Sequence, residues 1–149
     1  MILGIGTDIV EVARIAKSIE KTAFKEKVFS KTEMIYCESK KNKSESYAAR
    51  FAAKEAFFKA LGTGWRGGLA FNEVEIKNDK LGKPTLHISG KTAKIIANKN
   101  IEIIHVSLSH TKETAIAMIV LESSCPIHPE AKTKQLTDRK NKKTTNSPF

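Results

Sequence analysis

The chain is predicted to fold as an α+β domain, because strand-like and helix-like segments are both present, they do not alternate as a βα repeat, and the last two strand-like runs are joined as a hairpin. The elements suggest a small antiparallel sheet packed with helices, one of them long. The first run, over 2–10, is short, apolar and β-branched, and reads as a buried strand; its two glycines, Gly4 and Gly6, would let another backbone come close. In strand geometry Leu3, Ile5, Thr7 and Ile9 share one face, and Gly4, Gly6, Asp8 and Val10 the other. A helix is expected over 12–21, with Val12, Ile15, Ala16 and Ile19 on one stripe and Arg14, Lys17 and Lys21 on the exposed side. Ser30 followed by Glu33 is a capping-box pattern and predicts a second helix to about Ser39. A long alanine- and phenylalanine-rich helix is expected over 45–61, ended by Gly62 and Gly64. Strands over 71–76 and 85–89 flank a turn at 78–84, a short helix follows over 91–98, and strands over 101–109 and 114–122 close the fold.

The 149 residues suit one domain, and 40% hydrophobic with 28% charged residues is a globular balance. Beyond Ser123 prolines appear, apolar residues thin out and lysines accumulate. The expected division is a folded domain over 1–123 and a basic, disordered tail over 124–149. No apolar run approaches the roughly 20 residues of a membrane helix, and the opening residues do not resemble a secretory leader. A cytoplasmic location is therefore expected. The two cysteines, Cys37 and Cys125, form no close pair of the kind used for zinc or redox chemistry. The net charge of +10 points to an anionic partner without saying which. A nucleic-acid-binding module would suit that charge, yet it leaves carboxylates embedded among apolar residues unexplained.

Two such carboxylates stand out. Asp8 sits in the middle of the first apolar strand. Glu55 falls at the margin of the long helix's buried stripe, about 40° from Phe51, with Lys54 and Lys59 nearby. An ordinary Glu-to-Lys helical pair would account for Glu55 alone, and an ion pair to a lysine for Asp8 alone. Together they are the minimum protein contribution to a magnesium site completed by phosphate oxygens and water. His110 caps the apolar row Ile104, Val106 and Leu108 at a strand end, a position that suits either packing or catalysis.

The segments Gly4-Ile5-Gly6-Thr7-Asp8-Ile9-Val10-Glu11 with Arg14-Ile15, and Arg50-Phe51-Ala52-Ala53-Lys54-Glu55-Ala56-Phe57-Phe58-Lys59-Ala60-Leu61-Gly62-Thr63-Gly64, strongly resemble the bacterial holo-acyl-carrier-protein synthases. Gly82-Lys83-Pro84 and Ser107-Leu108-Ser109-His110-Thr111 resemble that family's later motifs, in the same order. The resemblance covers about 1–122. It implies the 4′-phosphopantetheinyl transferase fold and transfer of the 4′-phosphopantetheine group of coenzyme A to a serine of an apo acyl carrier protein. The products would be holo carrier and adenosine 3′,5′-bisphosphate, in fatty acid biosynthesis. By the same resemblance Asp8 and Glu55 would bind Mg2+ and Lys59 would contact the pyrophosphate near the bond that breaks. Arg50, Lys54, Pro84, His110 and Thr111 would surround the coenzyme, and Arg14 would meet the acidic carrier protein. Lys17 and Lys21 extend that basic surface, either as partner contacts or as a solvated face. A homotrimer with active sites between subunits is also implied, and no nucleic-acid or membrane partner is expected. The general base is left open among Glu55, His110 and a magnesium-bound water.

Overall fold

In the computed structural model the described residues are 1–64 and 69–124. Cys125 and all of the expected tail except Ser124 lie outside them. Five strands and five helices are built as β1 (Ile2–Glu11), α1 (Val12–Ser18), α2 (Thr22–Val28), α3 (Lys31–Glu38), α4 (Lys43–Ala60), β2 (Val74–Asn78), β3 (Pro84–Ile88), α5 (Gly90–Asn98), β4 (Ile103–His110) and β5 (Thr114–Glu122). β1, β5 and β4 form an antiparallel sheet in that order, and β2 pairs with β3 in a separate hairpin. The α+β class is as expected.

The long helix α4 lies across the inner face of the three-stranded sheet, and glycine lets it come close. A Cβ at Gly6 would overlap the Ala56 carbonyl oxygen, and one at Gly4 would overlap that of Ala60. The strand backbone therefore rests directly on the helix backbone, with Asp8 next along the same strand face. Ala52, Ala53 and Ala56 are fully buried in α4, while Ala115, Ala117, Ile119 and Leu121 are buried in β5. Below the helix the aromatic core interlocks. Phe51 stacks on Phe71 at 5.8 Å, Phe58 meets Phe71 edge-on at 4.9 Å, and Phe29 meets Tyr47 at 4.8 Å.

The expected buried strand is buried on one face only. Ile5 and Ile9 are 59% and 67% exposed, and Leu3, Ile103, Ile116 and Met118 are also open on the outer side of the sheet. A period-2 pattern that is apolar on both faces predicts two covered faces, and a single chain covers one.

Two differences concern helices and strand starts. The helix expected over 12–21 stops at Ser18, and a separate α2 that the sequence reading omits begins at Thr22. The break turns Phe24 inward, 6.3 Å from Phe29 and 6.2 Å from Phe51, and no glycine or proline marks it. Phe71–Glu73 forms a single 3-10 turn before β2, where a strand start was expected. That turn presents the Glu73 carboxylate to the first turn of α5, where the Lys91 and Thr92 N–H groups donate to it at 3.1 and 2.8 Å. The capping box at α3 forms as expected: Ser30 N donates to Glu33 Oε2 at 2.9 Å, and Glu33 N donates to Ser30 Oγ at 3.2 Å.

The contact between β1 and α4 can be tested directly. Gly6→Ala should destabilise the fold by about 3 kcal/mol or more in urea unfolding, because neither backbone can yield without moving a whole element. A cost below about 1 kcal/mol would show that the strand can back away from the helix.

Candidate active site

The glycine-mediated approach of β1 to α4 brings Asp8 into the neighbourhood of Glu55 and Lys59. Lys59 Nζ donates to Asp8 Oδ1 at 2.7 Å, with the lysine side chain half exposed and the aspartate side chain mostly covered. The ion pair weighed for Asp8 in the sequence therefore exists, but it opens to solvent on the lysine side. Glu55 is half-buried, and its carboxyl is pushed above the usual range first by burial and then by the charge of Asp8, against the opposing pull of Lys59 and Arg14. Two carboxylates that repel each other, with an ammonium and a guanidinium in the same field, make a mixed-charge site in which a cation and its accompanying anion would each find opposite charge.

Magnesium fits this donor set. Both donors are hard carboxylate oxygens, and a site with two protein ligands leaves positions for water and phosphate oxygens. Among the described residues no group of three or more His, Cys, Asp and Glu side chains could hold a metal alone. Asp8 and Glu55 would thus form a partial site that a phosphorylated ligand completes.

A second group lies at the other end of α4. Glu45 and Glu55 are ten residues apart on that helix, about 15 Å along its axis. His110, at the end of β4, points with Leu108 to the α4 side, as its sequence register predicts, and its Nδ1 lies 3.3 Å from Glu45 Oε2. The Thr111 hydroxyl accepts the N–H groups of Glu113 and Thr114 at 3.2 and 3.1 Å and so shapes the β4–β5 loop. Pro84 opens β3 opposite Asn78. Arg50 is nearly buried; its Nη2 donates to Asn78 Oδ1 at 2.7 Å, and its guanidinium lies 4.0 Å from the Tyr36 ring centroid. Asn78 in turn donates to the Gly82 carbonyl at 2.9 Å, so Arg50 braces the turn that carries Lys83 and Pro84. Arg50 Nε is buried with no hydrogen-bond partner among the described residues.

Lys54 requires a correction. Its side chain is fully buried, and Nζ donates to Glu33 Oε2 at 2.6 Å, to the Val28 carbonyl at 2.6 Å and to the Phe71 carbonyl at 3.0 Å. An ammonium with three acceptors of its own and no exposure does not reach a coenzyme. The resemblance sets Lys54 around the coenzyme, but α3 and the Phe71 turn cover its side chain. Burial lowers the proton affinity of Lys54, and the charge of Glu33 opposes that loss. Glu33 also accepts from Ile76 N at 3.0 Å, so one carboxylate ties α3, α4 and β2 together. Helical periodicity shows that Glu33 completes a capping box, but not that it also receives a lysine 21 residues away.

The basic surface is also rearranged. Arg14 and Lys17 lie on α1, Arg14 with its guanidinium 5.8 Å from the Phe51 ring centroid. Lys21 does not continue that helix face; it is the N-cap of α2. Lys17 and Lys21 nevertheless line one shallow hollow together with Ser18, Glu20 and Phe24.

This arrangement has counterparts in known proteins. Residues 4–120 match the model of the 4′-phosphopantetheinyl transferase superfamily. The chain belongs to that superfamily. Holo-[acyl-carrier-protein] synthases of Geotalea daltonii and Clostridium novyi are 45% and 52% identical to it over 124 residues, which is 82% of this chain and 99% and 88% of theirs. Among solved structures, a holo-(acyl-carrier-protein) synthase of Bacillus anthracis in complex with CoA (3′,5′-ADP) is 41% identical with a TM-score of 0.71, covering 83% of this chain and 99% of that one. The synthase of Neisseria meningitidis is 36% identical with a TM-score of 0.77, covering 83% of this chain and all of its own. The resemblance in the four sequence motifs is thereby extended to the transferase fold as a whole.

Removing the amine while keeping its bulk tests the Lys54 assignment. Lys54→Met should cost about 3–5 kcal/mol in urea unfolding, because Glu33 is left charged and buried. A residue whose main role is to contact a ligand at the surface would give a cost near zero.

Proposed function

We propose that this transferase moves the 4′-phosphopantetheine group of coenzyme A onto a serine of an apo acyl carrier protein, releasing adenosine 3′,5′-bisphosphate, as a step that prepares the carrier for fatty acid synthesis. The single observation that carries the reading is the meeting of Asp8, Glu55 and Lys59, two carboxylates within each other's field and an ammonium at an open edge, in a chain of this superfamily.

In the proposed step the serine hydroxyl gives up its proton to a base, with Glu55, His110 and a bound water as the candidates, and its oxygen forms a bond to the phosphorus that carries the pantetheine arm. The bond from that phosphorus to the bridging oxygen breaks, and the adenosine bisphosphate leaves with the electron pair. Asp8 and Glu55 would hold a magnesium ion, which when bound neutralises the diphosphate oxygens. Lys59, half exposed and reaching out from Asp8, would follow the charge that grows on the bridging oxygen. Arg14, Lys17 and Lys21 would attract the acidic carrier and speed its encounter with the enzyme. The enzyme would act in the cytoplasm; no helix among the described residues is long and apolar enough to cross a membrane.

We further propose that the active site is shared between copies of the chain in a homotrimer. His110 meets Glu45 in the first turn of α4, whereas Asp8, Glu55 and Lys59 meet toward its other end. One chain presents two partial sites, and the open apolar face around Ile5, Ile9, Ile116 and Met118 offers a surface on which copies could pack. The region beyond Ser123 would be an appendage to the transferase domain.

Weighing an apo carrier after incubation with enzyme, coenzyme A and magnesium tests the activity. The carrier should gain the mass of one phosphopantetheine, and Asp8→Asn or Glu55→Gln should abolish the gain without unfolding the protein. Because the Glu55 carboxyl is raised above its unfolded value, the folded state binds more protons there, and stability falls as pH rises past the ordinary carboxylate range. In magnesium-free buffer at neutral pH, Glu55→Gln should therefore melt at a higher temperature than the parent. Lower melting together with retained transfer would overturn the paired-carboxylate site.

A further inference from the structure

We propose that Glu45 is a positioning residue for His110: it holds the neutral imidazole with its proton on Nδ1 and leaves Nε2 for the substrate side. The inference rests on the transferase reading, in which His110 belongs to the coenzyme-facing group, and it adds a residue that the four sequence motifs do not contain.

The geometry is specific. Glu45 stands in the first turn of α4 and His110 is the last residue of β4, so the contact joins two elements far apart in the chain. The carboxylate side chain is only 16% exposed and the imidazole 47%, with Oε2 3.3 Å from Nδ1. An acid in a helix's first turn can be explained by the helix dipole alone. Here, however, the carboxylate faces the ring, and among the described residues no backbone N–H of the first turn donates to it. Among the described residues no protein group reaches His110 Nε2. A carboxylate accepts hydrogen bonds and cannot donate one when ionised, so a proton on Nδ1 is the one that lets this contact close into a hydrogen bond, and the other nitrogen of the neutral ring is then an acceptor. An acceptor at Nε2 can receive the proton of a hydroxyl or orient a water. A ring that turned Nε2–H outward could still donate to a water but could not receive a proton. His105 shows the opposite arrangement, with Nε2 2.8 Å from Glu122 Oε2, and serves as an internal reference.

Nitrogen NMR of the intact protein, labelled in histidine, distinguishes the two tautomers at a pH where the rings are neutral. The parent should show His110 protonated on Nδ1. Glu45→Ala should move that proton to Nε2, Glu45→Gln should restore Nδ1–H through its amide oxygen, and His105 should be unchanged by either substitution. Transfer to apo carrier should fall roughly 10- to 100-fold in Glu45→Ala, the scale of losing a partner that orients a functional histidine. In a His110→Ala background the same substitution should cost nothing further. A parent ring already protonated on Nε2, or losses that simply add in the double variant, would overturn the proposal. Should Glu45→Ala not fold, the tautomer in the parent and in Glu45→Gln decides the matter. A parent enzyme that modifies no carrier would defeat the transferase reading while leaving the ring measurement standing.

Discussion

The rest of the molecule depends on the direct contact of β1 with α4. Two glycines remove the side chains that would hold the strand and helix backbones apart. One strand step further along that face a side chain returns, and it is Asp8, a carboxylate placed against a helix that carries Glu55 and Lys59. The close packing fixes how far Asp8 stands from both, so the same contact that closes the core sets the electrostatics of the site. Burial and the charge of Asp8 make the ionised form of Glu55 costly, and that cost is what a bound cation would relieve. Natural sites commonly retain such unfavourable charge where function requires it.

A different network keeps α4 in place. Lys54, one residue before Glu55, turns away from the site into a buried bond with Glu33 and two carbonyls. Neighbouring residues on one helix thus divide the work: the amine anchors the helix to α3 and the Phe71 turn, and the acid stands at the open edge. Arg50, one turn earlier, braces the β2–β3 turn through Asn78. The helix is therefore held from below by charged bonds, while its upper surface bears on the strand glycines.

Much of this was legible in the sequence, and the part that was not has physical causes. The face shared by Gly4, Gly6 and Asp8, the capping box at Ser30, the long helix and the final hairpin all follow from local periodicity, and local periodicity is what formed. The break between α1 and α2 carries no glycine or proline, and it arises from Phe24 finding the aromatic core, a tertiary event. The expected coenzyme contact at Lys54 failed for a similar reason, since its partner Glu33 is distant in the chain. The first strand reads as buried on both faces because the pattern reports only that a surface is to be covered. It does not say whether the cover comes from the same chain. Glu45 carries no signal in the sequence, because an acid in a helix's first turn is ordinary, and only the folded arrangement shows His110 beside it.

The central claim is that Asp8 and Glu55 act together on a cation that a diphosphate completes. Calorimetric titration of coenzyme A into the protein, with and without magnesium, tests it most directly, because metal and coenzyme should then raise each other's affinity. The account predicts that magnesium strengthens coenzyme A binding by about tenfold or more in the parent protein and that the gain disappears in Glu55→Gln. An equal gain in both proteins would contradict it.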